Sequence, residues 1–167
     1  MKKSTFFIIT ILLVALLVSC GKTDIANSGE PAPMFDIQDL SGNQVSLEEF
    51  KGDKVYVKYW ASWCSICLAG LDELNTLASQ DNDFKVISIV SPKHNGEKST
   101  EDFKKWFSYL DADRLTVLLD EDGVWSNQFG VIAYPTSYYI GSDGLLVQSL
   151  IGHNSNEEII KTFENIN

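Results

Sequence analysis

The chain has 167 residues, of which 44% are hydrophobic and 22% charged, a balance that fits one globular domain with a short appendage. Lys and Arg number 13 against 23 Asp and Glu, and the net charge of −10 leaves no basic patch to neutralise phosphates, which excludes nucleic-acid binding as the main task. The 3 cysteines are too few for a disulfide-stapled secreted scaffold, and two paired thiols could be joined only by His94 and His153 in a zinc site, so no metal is expected.

Lys2 and Lys3 precede an apolar run from Phe6 to Val18, roughly 13 residues long. That is short of the 20 or so that span a bilayer and suits a signal peptide. Leu17-Val18-Ser19-Cys20 closes the run and resembles a bacterial lipobox, in which cleavage precedes the cysteine and that cysteine receives lipid. Residues 1–19 are therefore expected to be a lipoprotein signal peptide, and Cys20 the lipidation site. Residues 20–33 are expected to be a flexible tether, and 34–167 the folded domain. The expected place of work is outside the cytoplasm, on the bacterial cell membrane, in an oxidising compartment.

Met34–Ile37 and Gln44–Leu47 flank a turn, Asp39–Asn43, and read as a β-hairpin. Leu47–Gly52 reads as a short helical turn, and the β-branched and aromatic run Lys54–Trp60 as a central strand. From Cys64 to Ala78 the apolar residues Cys67, Leu71, Leu74 and Leu77 recur at helical spacing, which predicts one helix. Phe84–Val90 is a largely apolar strand suited to a buried parallel position. Ser91–Lys98 is a loop, Ser99–Asp102 caps a helix carrying Phe103, Trp106, Phe107 and Leu110, and Leu115–Leu119 is a strand. Val124–Phe129 is a short helix, Thr136–Ile140 and Leu145–Ile151 a hairpin, and Ser155 begins a final helix through Phe163. Together they predict an α/β domain, a mixed sheet with helices on both faces and an N-terminal hairpin extension.

Strand, small-residue turn, Cys64-Ser65-Ile66-Cys67, helix is the arrangement that presents a redox dithiol at a helix start. Backbone N–H groups and the helix dipole there favour the reactive thiolate, so the expected chemistry is thiol–disulfide exchange. His94 and His153 read as loop residues, Trp106 and Trp125 as packing, and the clusters Asp111–Asp113 and Asp120–Asp122 as turn chemistry rather than a calcium site.

Trp63-Cys64-Ser65-Ile66-Cys67, followed by Tyr134-Pro135-Thr136 before the last hairpin, resembles the thioredoxin fold. The hairpin opening and the long segment between the motifs resemble its membrane-tethered branch, the TlpA and ResA type, over roughly residues 31–167. Within that branch, Lys58–Cys64 and Ser91-Pro92 look most like domains that supply electrons to secreted methionine sulfoxide reductases. The resemblance implies that Cys64 attacks, Cys67 resolves, and Pro135 is cis against the dithiol. It also implies that the Tyr134 backbone pairs with the client, and that Trp63, Ile66 and Tyr134 form an apolar rim. No cofactor beyond the redox-active cysteine pair is implied. The electron donor would be an integral-membrane thiol transporter of the CcdA type, the acceptor methionine sulfoxide reductase or another extracytoplasmic protein disulfide, and the protein a monomer. Apocytochrome c thiols as clients, an oxidase for folding proteins, and a non-catalytic binding lipoprotein are the competing readings.

One departure stands out. Thioredoxins proper usually carry a buried aspartate where this chain has Lys58. Lys58 either lowers a thiol pKa or relays protons near Cys67, or it packs its stem and reaches water with its ammonium. Ser65-Ile66 contains no histidine to stabilise the reduced pair as in strong oxidants, which favours a reductant.

Overall fold

Lys54–Tyr59 alternates Val55, Val57 and Tyr59 on one side with Tyr56 and Lys58 on the other, and all but Lys54 are buried. A strand apolar on both sides can only sit inside a sheet with both faces covered, and this one does. A computed structural model describes residues 27–167. The expected signal peptide and the lipidation site Cys20 lie outside the described residues.

The strands are β1 (Glu30–Pro31), β2 (Asp36–Asp39), β3 (Gln44–Ser46), β4 (Lys54–Tyr59), β5 (Phe84–Val90), β6 (Thr116–Leu119), β7 (Thr136–Ile140) and β8 (Leu145–Ile151). They form one sheet in the order β1-β8-β7-β4-β5-β6-β2-β3. β5 runs parallel to both β4 and β6, while the β7–β8 and β2–β3 hairpins supply the antiparallel flanks. The helices are α1 (Ser65–Ala69), α2 (Leu71–Ser79), α3 (Thr100–Phe107), α4 (Val124–Gln128) and α5 (Asn156–Phe163). Ser99 caps α3, and a reciprocal capping box of Ser155 and Glu158 opens α5.

Helices cover both faces, but unequally. On one face Tyr56, Trp60 and Tyr139 pack under α1, α2, α3 and α5 through Leu74, Leu77, Phe103 and Phe163. The other face carries Val55, Val57, Tyr59, Ile87 and Ile89. It is covered mostly by the N-terminal segment, through Phe35, Ile37 and Leu47, and by Phe129 just after α4. The hairpin extension β2–β3 thus does the work of a helix there. It pairs with β6 at Gln38 and Asp39.

Two boundaries differ from expectation. Residues 27–33, expected to belong to the tether, dock on the domain instead. Glu30 and Pro31 pair with Leu146 and Leu145, and the Ala32 N–H donates to the Gly144 carbonyl at 3.0 Å. Asn27 Nδ2 donates to the Asn167 carbonyl at 2.7 Å. Gly29 lies against the Leu146 carbonyl with no room for a Cβ. The free edge of β8 needs backbone partners, and a small-residue segment supplies them without side-chain bulk.

The helix expected to run unbroken from the cysteines to Ala78 is interrupted at Gly70, which ends α1 and begins α2 with φ −97° and ψ 8°. The His153 imidazole occupies the space that a Cβ at this position would need.

Candidate active site

Cys64 is the N-cap of α1, in extended conformation (φ −84°, ψ 107°). A four-residue turn delivers it there, closed by the Cys64 N–H donating to the Ala61 carbonyl at 3.1 Å. Cys64 and Cys67 are joined in a disulfide with their Cα atoms 5.2 Å apart. The Cys67 N–H points at Cys64 Sγ, 3.2 Å away. When the bond is reduced, this N–H is placed to stabilise a Cys64 thiolate. α1 itself is only five residues long before the Gly70 break.

Opposite the dithiol, the Tyr134–Pro135 peptide is cis, and the Tyr134 carbonyl oxygen lies 3.7 Å from Cys64 Sγ. The turn is held on both sides. Thr136 Oγ1 donates to the Ala133 carbonyl at 2.7 Å, and the Gly152 N–H donates to the Pro135 carbonyl at 2.8 Å.

Trp63 and Ile66 are 53% and 57% exposed, and the Trp63 ring meets Tyr134 edge-on at 5.7 Å. Trp63 is thus in contact with Tyr134, whose carbonyl faces Cys64, and Ile66 is exposed between the two cysteines, while Cys64 itself is only 7% exposed. Two further apolar side chains are exposed beside Tyr134 and Pro135, and sequence reasoning missed them. Ile132 stands two residues before Tyr134, and Ile151 pairs with Thr136 across the hairpin. Periodicity marks an isoleucine as core by default, so only the fold reveals that these two face solvent.

Lys58 is 3% exposed, so its ammonium does not reach water freely. It projects on the Tyr56 and Trp60 side of β4, the side covered by Cys64, Cys67 and α2. Its register neighbours are Ser88 on β5 and Ser137 on β7, both fully buried. Burial pushes the Lys58 amine down to about 8, partly opposed by the negative charge of Glu73. An amine in that range exchanges protons near neutral pH.

The two histidines have different surroundings. His153 lies in the loop after β8, as expected, but it is docked, with Nε2 2.9 Å from Glu73 Oε2. His94 lies over Gly123. Asp120 is turn chemistry of a buried kind, accepting the Trp125 and Ser126 N–H groups at 2.9 and 2.7 Å. Trp106 packs on Trp60 at 6.3 Å, and Trp125 packs against the core on the other face of the sheet. Among the described residues, no cluster of three or more His, Cys, Asp or Glu is arranged to hold a metal.

The comparisons with known proteins agree with this geometry. The family profile for Redoxin matches residues 27–166. A Haemophilus influenzae protein described only as uncharacterized is 47% identical over 124 residues, 74% of this chain and 80% of its own. Thiol-disulfide oxidoreductase ResA of Bacillus thuringiensis is 27% identical over 168 residues, 95% of each chain. The crystal structure of the exposed lipoprotein thioredoxin Etrx1 from Streptococcus pneumoniae matches with a TM-score of 0.77 and 39% identity, covering 80% of this chain and 100% of that one. A match that runs from Asn27 to Ile166 leaves nearly the whole described domain inside one family: the chain belongs to the Redoxin family, is thioredoxin-like in fold, and is a thiol–disulfide oxidoreductase.

Proposed function

We propose that the protein is a membrane-anchored, extracytoplasmic reductant of protein disulfides, with a secreted methionine sulfoxide reductase as its client. The observation that carries the reductant reading is the Cys64 environment. One backbone N–H faces its sulfur, and no histidine or other cation of the dipeptide Ser65-Ile66 adds to it. Strong oxidants owe their potential to a reduced form stabilised by much more than this. The anchor rests on the lipobox-like Leu17–Cys20 and on likeness to an exposed lipoprotein thioredoxin. The client rests on the resemblance of Lys58–Cys64 and Ser91-Pro92 to domains that serve such reductases.

In the productive direction the Cys64 thiolate attacks one sulfur of the client disulfide. That S–S bond breaks, and the departing client thiolate takes a proton. The Cys67 thiolate then attacks Cys64 Sγ, closing the Cys64–Cys67 disulfide and releasing the second client thiol. Two electrons and two protons pass to the client in all. The pair must then be recharged by an external dithiol, for which a CcdA-type membrane transporter is the partner we propose. The Trp63, Ile66 and Tyr134 rim receives the client chain. Lys58 takes up the Cys67 proton as that thiol becomes nucleophilic. Unchanged thiol pKa values and turnover in Lys58→Ala would remove this last role.

The decisive measurement is the reduction potential of residues 27–167 equilibrated against glutathione and dithiothreitol. A value near or below about −220 mV supports the donor, and a value near about −120 mV makes the protein an oxidant. Cys67→Ser should then accumulate mixed disulfides whose partner identifies the client.

A further inference from the structure

We propose that Glu97 is a positioning residue for the dithiol: its buried carboxylate ties the loop 91–98 to the turn Ala61–Cys64 and so holds Cys64 and Trp63 in their reactive arrangement. The inference rests on the dithiol chemistry alone, not on the direction of electron flow or on the client.

Glu97 is 8% exposed. Its Oε2 accepts the Ser62 N–H at 2.5 Å, and its Oε1 accepts the Ser62 hydroxyl and the Lys98 N–H, each at 2.6 Å. Lys98 Nζ donates back to Ser62 Oγ at 2.5 Å and lies 5.0 Å over the Trp106 ring. All three groups facing the carboxylate are donors, so an anion satisfies them and a neutral amide, which must present its own NH2 to some of them, does not. Ser62 and Trp63 are the two central residues of the turn that ends on Cys64. Fixing Ser62 therefore fixes the direction in which the chain enters α1.

The same loop touches the rest of the rim. Asn95 Nδ2 donates to the Tyr134 hydroxyl at 3.4 Å, and Gly96 lies next to Trp63 Nε1. Lys93 and Asn95 sit at φ 61° and 47° within it. Non-glycine residues keep such angles where surrounding contacts over-determine them, and the Glu97 bonds are the contacts that carry this loop onto the Ala61–Cys64 turn.

The sign of one measurement separates positioning from a mere field effect. A carboxylate near Cys64 acting only through its charge would raise the thiol pKa, so Glu97→Gln would lower it and speed alkylation. Positioning predicts the reverse. When the turn loosens, Cys64 Sγ loses its alignment with the Cys67 N–H, the pKa rises, and alkylation by iodoacetamide near neutral pH slows several-fold. KM for insulin disulfides should rise while KM for a small aromatic disulfide stays the same. Glu97→Asp, which keeps the charge, should restore part of the wild-type pH profile.

If Glu97→Gln does not fold, Ser62→Ala serves instead. It keeps the Ser62 N–H bond and removes the hydroxyl bond, and it should shift the alkylation profile in the same direction by less. An unchanged or lowered Cys64 pKa in whichever of these variants folds would overturn the proposal.

Discussion

The two sides of β4 are built from similar residues and behave differently. On the side away from the dithiol, Val55, Val57 and Tyr59 join a cluster with Phe129 and Tyr138, whose ring centroids lie 5.6 and 6.0 Å from Tyr59, and the strand itself puts no charged side chain there. On the dithiol side the same strand places Lys58 between Ser88 and Ser137, and the Tyr56 hydroxyl bonds Ser137 Oγ at 2.7 Å. Polar groups are costly inside a protein, and the one buried charged side chain of β4, Lys58, lies on the face toward Cys64 and Cys67. One face of the strand carries valines and a tyrosine, and the other carries a buried amine on the dithiol side.

Mutations can break that contrast, beginning with the largest effect. Cys64→Ser should abolish insulin-disulfide reduction outright, whereas chemical denaturation of the reduced proteins should barely distinguish it from wild type. Val57→Ala, on the apolar side, should do the opposite. Removing buried methyl groups there should cost on the order of 1 to 3 kcal/mol in urea titrations, with the Cys64 alkylation profile unchanged.

Lys58→Met tests the cost of that amine directly. Because the folded-state pKa of about 8 lies below the ordinary lysine value of 10.5, the native protein binds its proton less readily than the unfolded chain. Wild-type stability should therefore rise as pH climbs from 8 to 10.5, and the burden is full below 8. The methionine variant should be the more stable by on the order of 3 kcal/mol at pH 7, with the gap closing by pH 10.5. Equilibrium unfolding at several pH values reads this out. A variant that is less stable than wild type at pH 7 would remove the claimed cost.

The finest comparison uses two tyrosines. Tyr56→Phe forfeits a satisfied buried hydrogen bond and should cost about 1 kcal/mol. Tyr59→Phe removes a buried hydroxyl that has no partner among the described residues, so it should be neutral or slightly stabilising in the same urea titration.

Most of the fold was legible because its signals are local. The strand β4, the capped starts of α3 and α5, and the hairpin across Gly141–Gly144 follow from residue type and spacing alone. The break at Gly70 was not, since a glycine within an apolar helical stripe reads as core until His153, 83 positions downstream, is found beside it. The docking of 27–33 was hidden for a similar reason. A polar, small-residue segment looks like a tether unless the unpaired edge of β8 is known to be waiting for it.

The sequence alone therefore determined the dithiol and its place at a helix start, because nucleophile and helix cap are written within a few consecutive residues, whereas the distant Pro135 was placed against the dithiol only by resemblance to the thioredoxin fold. Only the tertiary structure decided that Lys58 is buried, that Ile132 and Ile151 are not, and that Glu97 reaches back 35 positions to Ser62. Burial and long-range hydrogen bonds depend on which elements cover a residue, and that is settled when β4, β5 and β7 are assembled beneath α1 and α2.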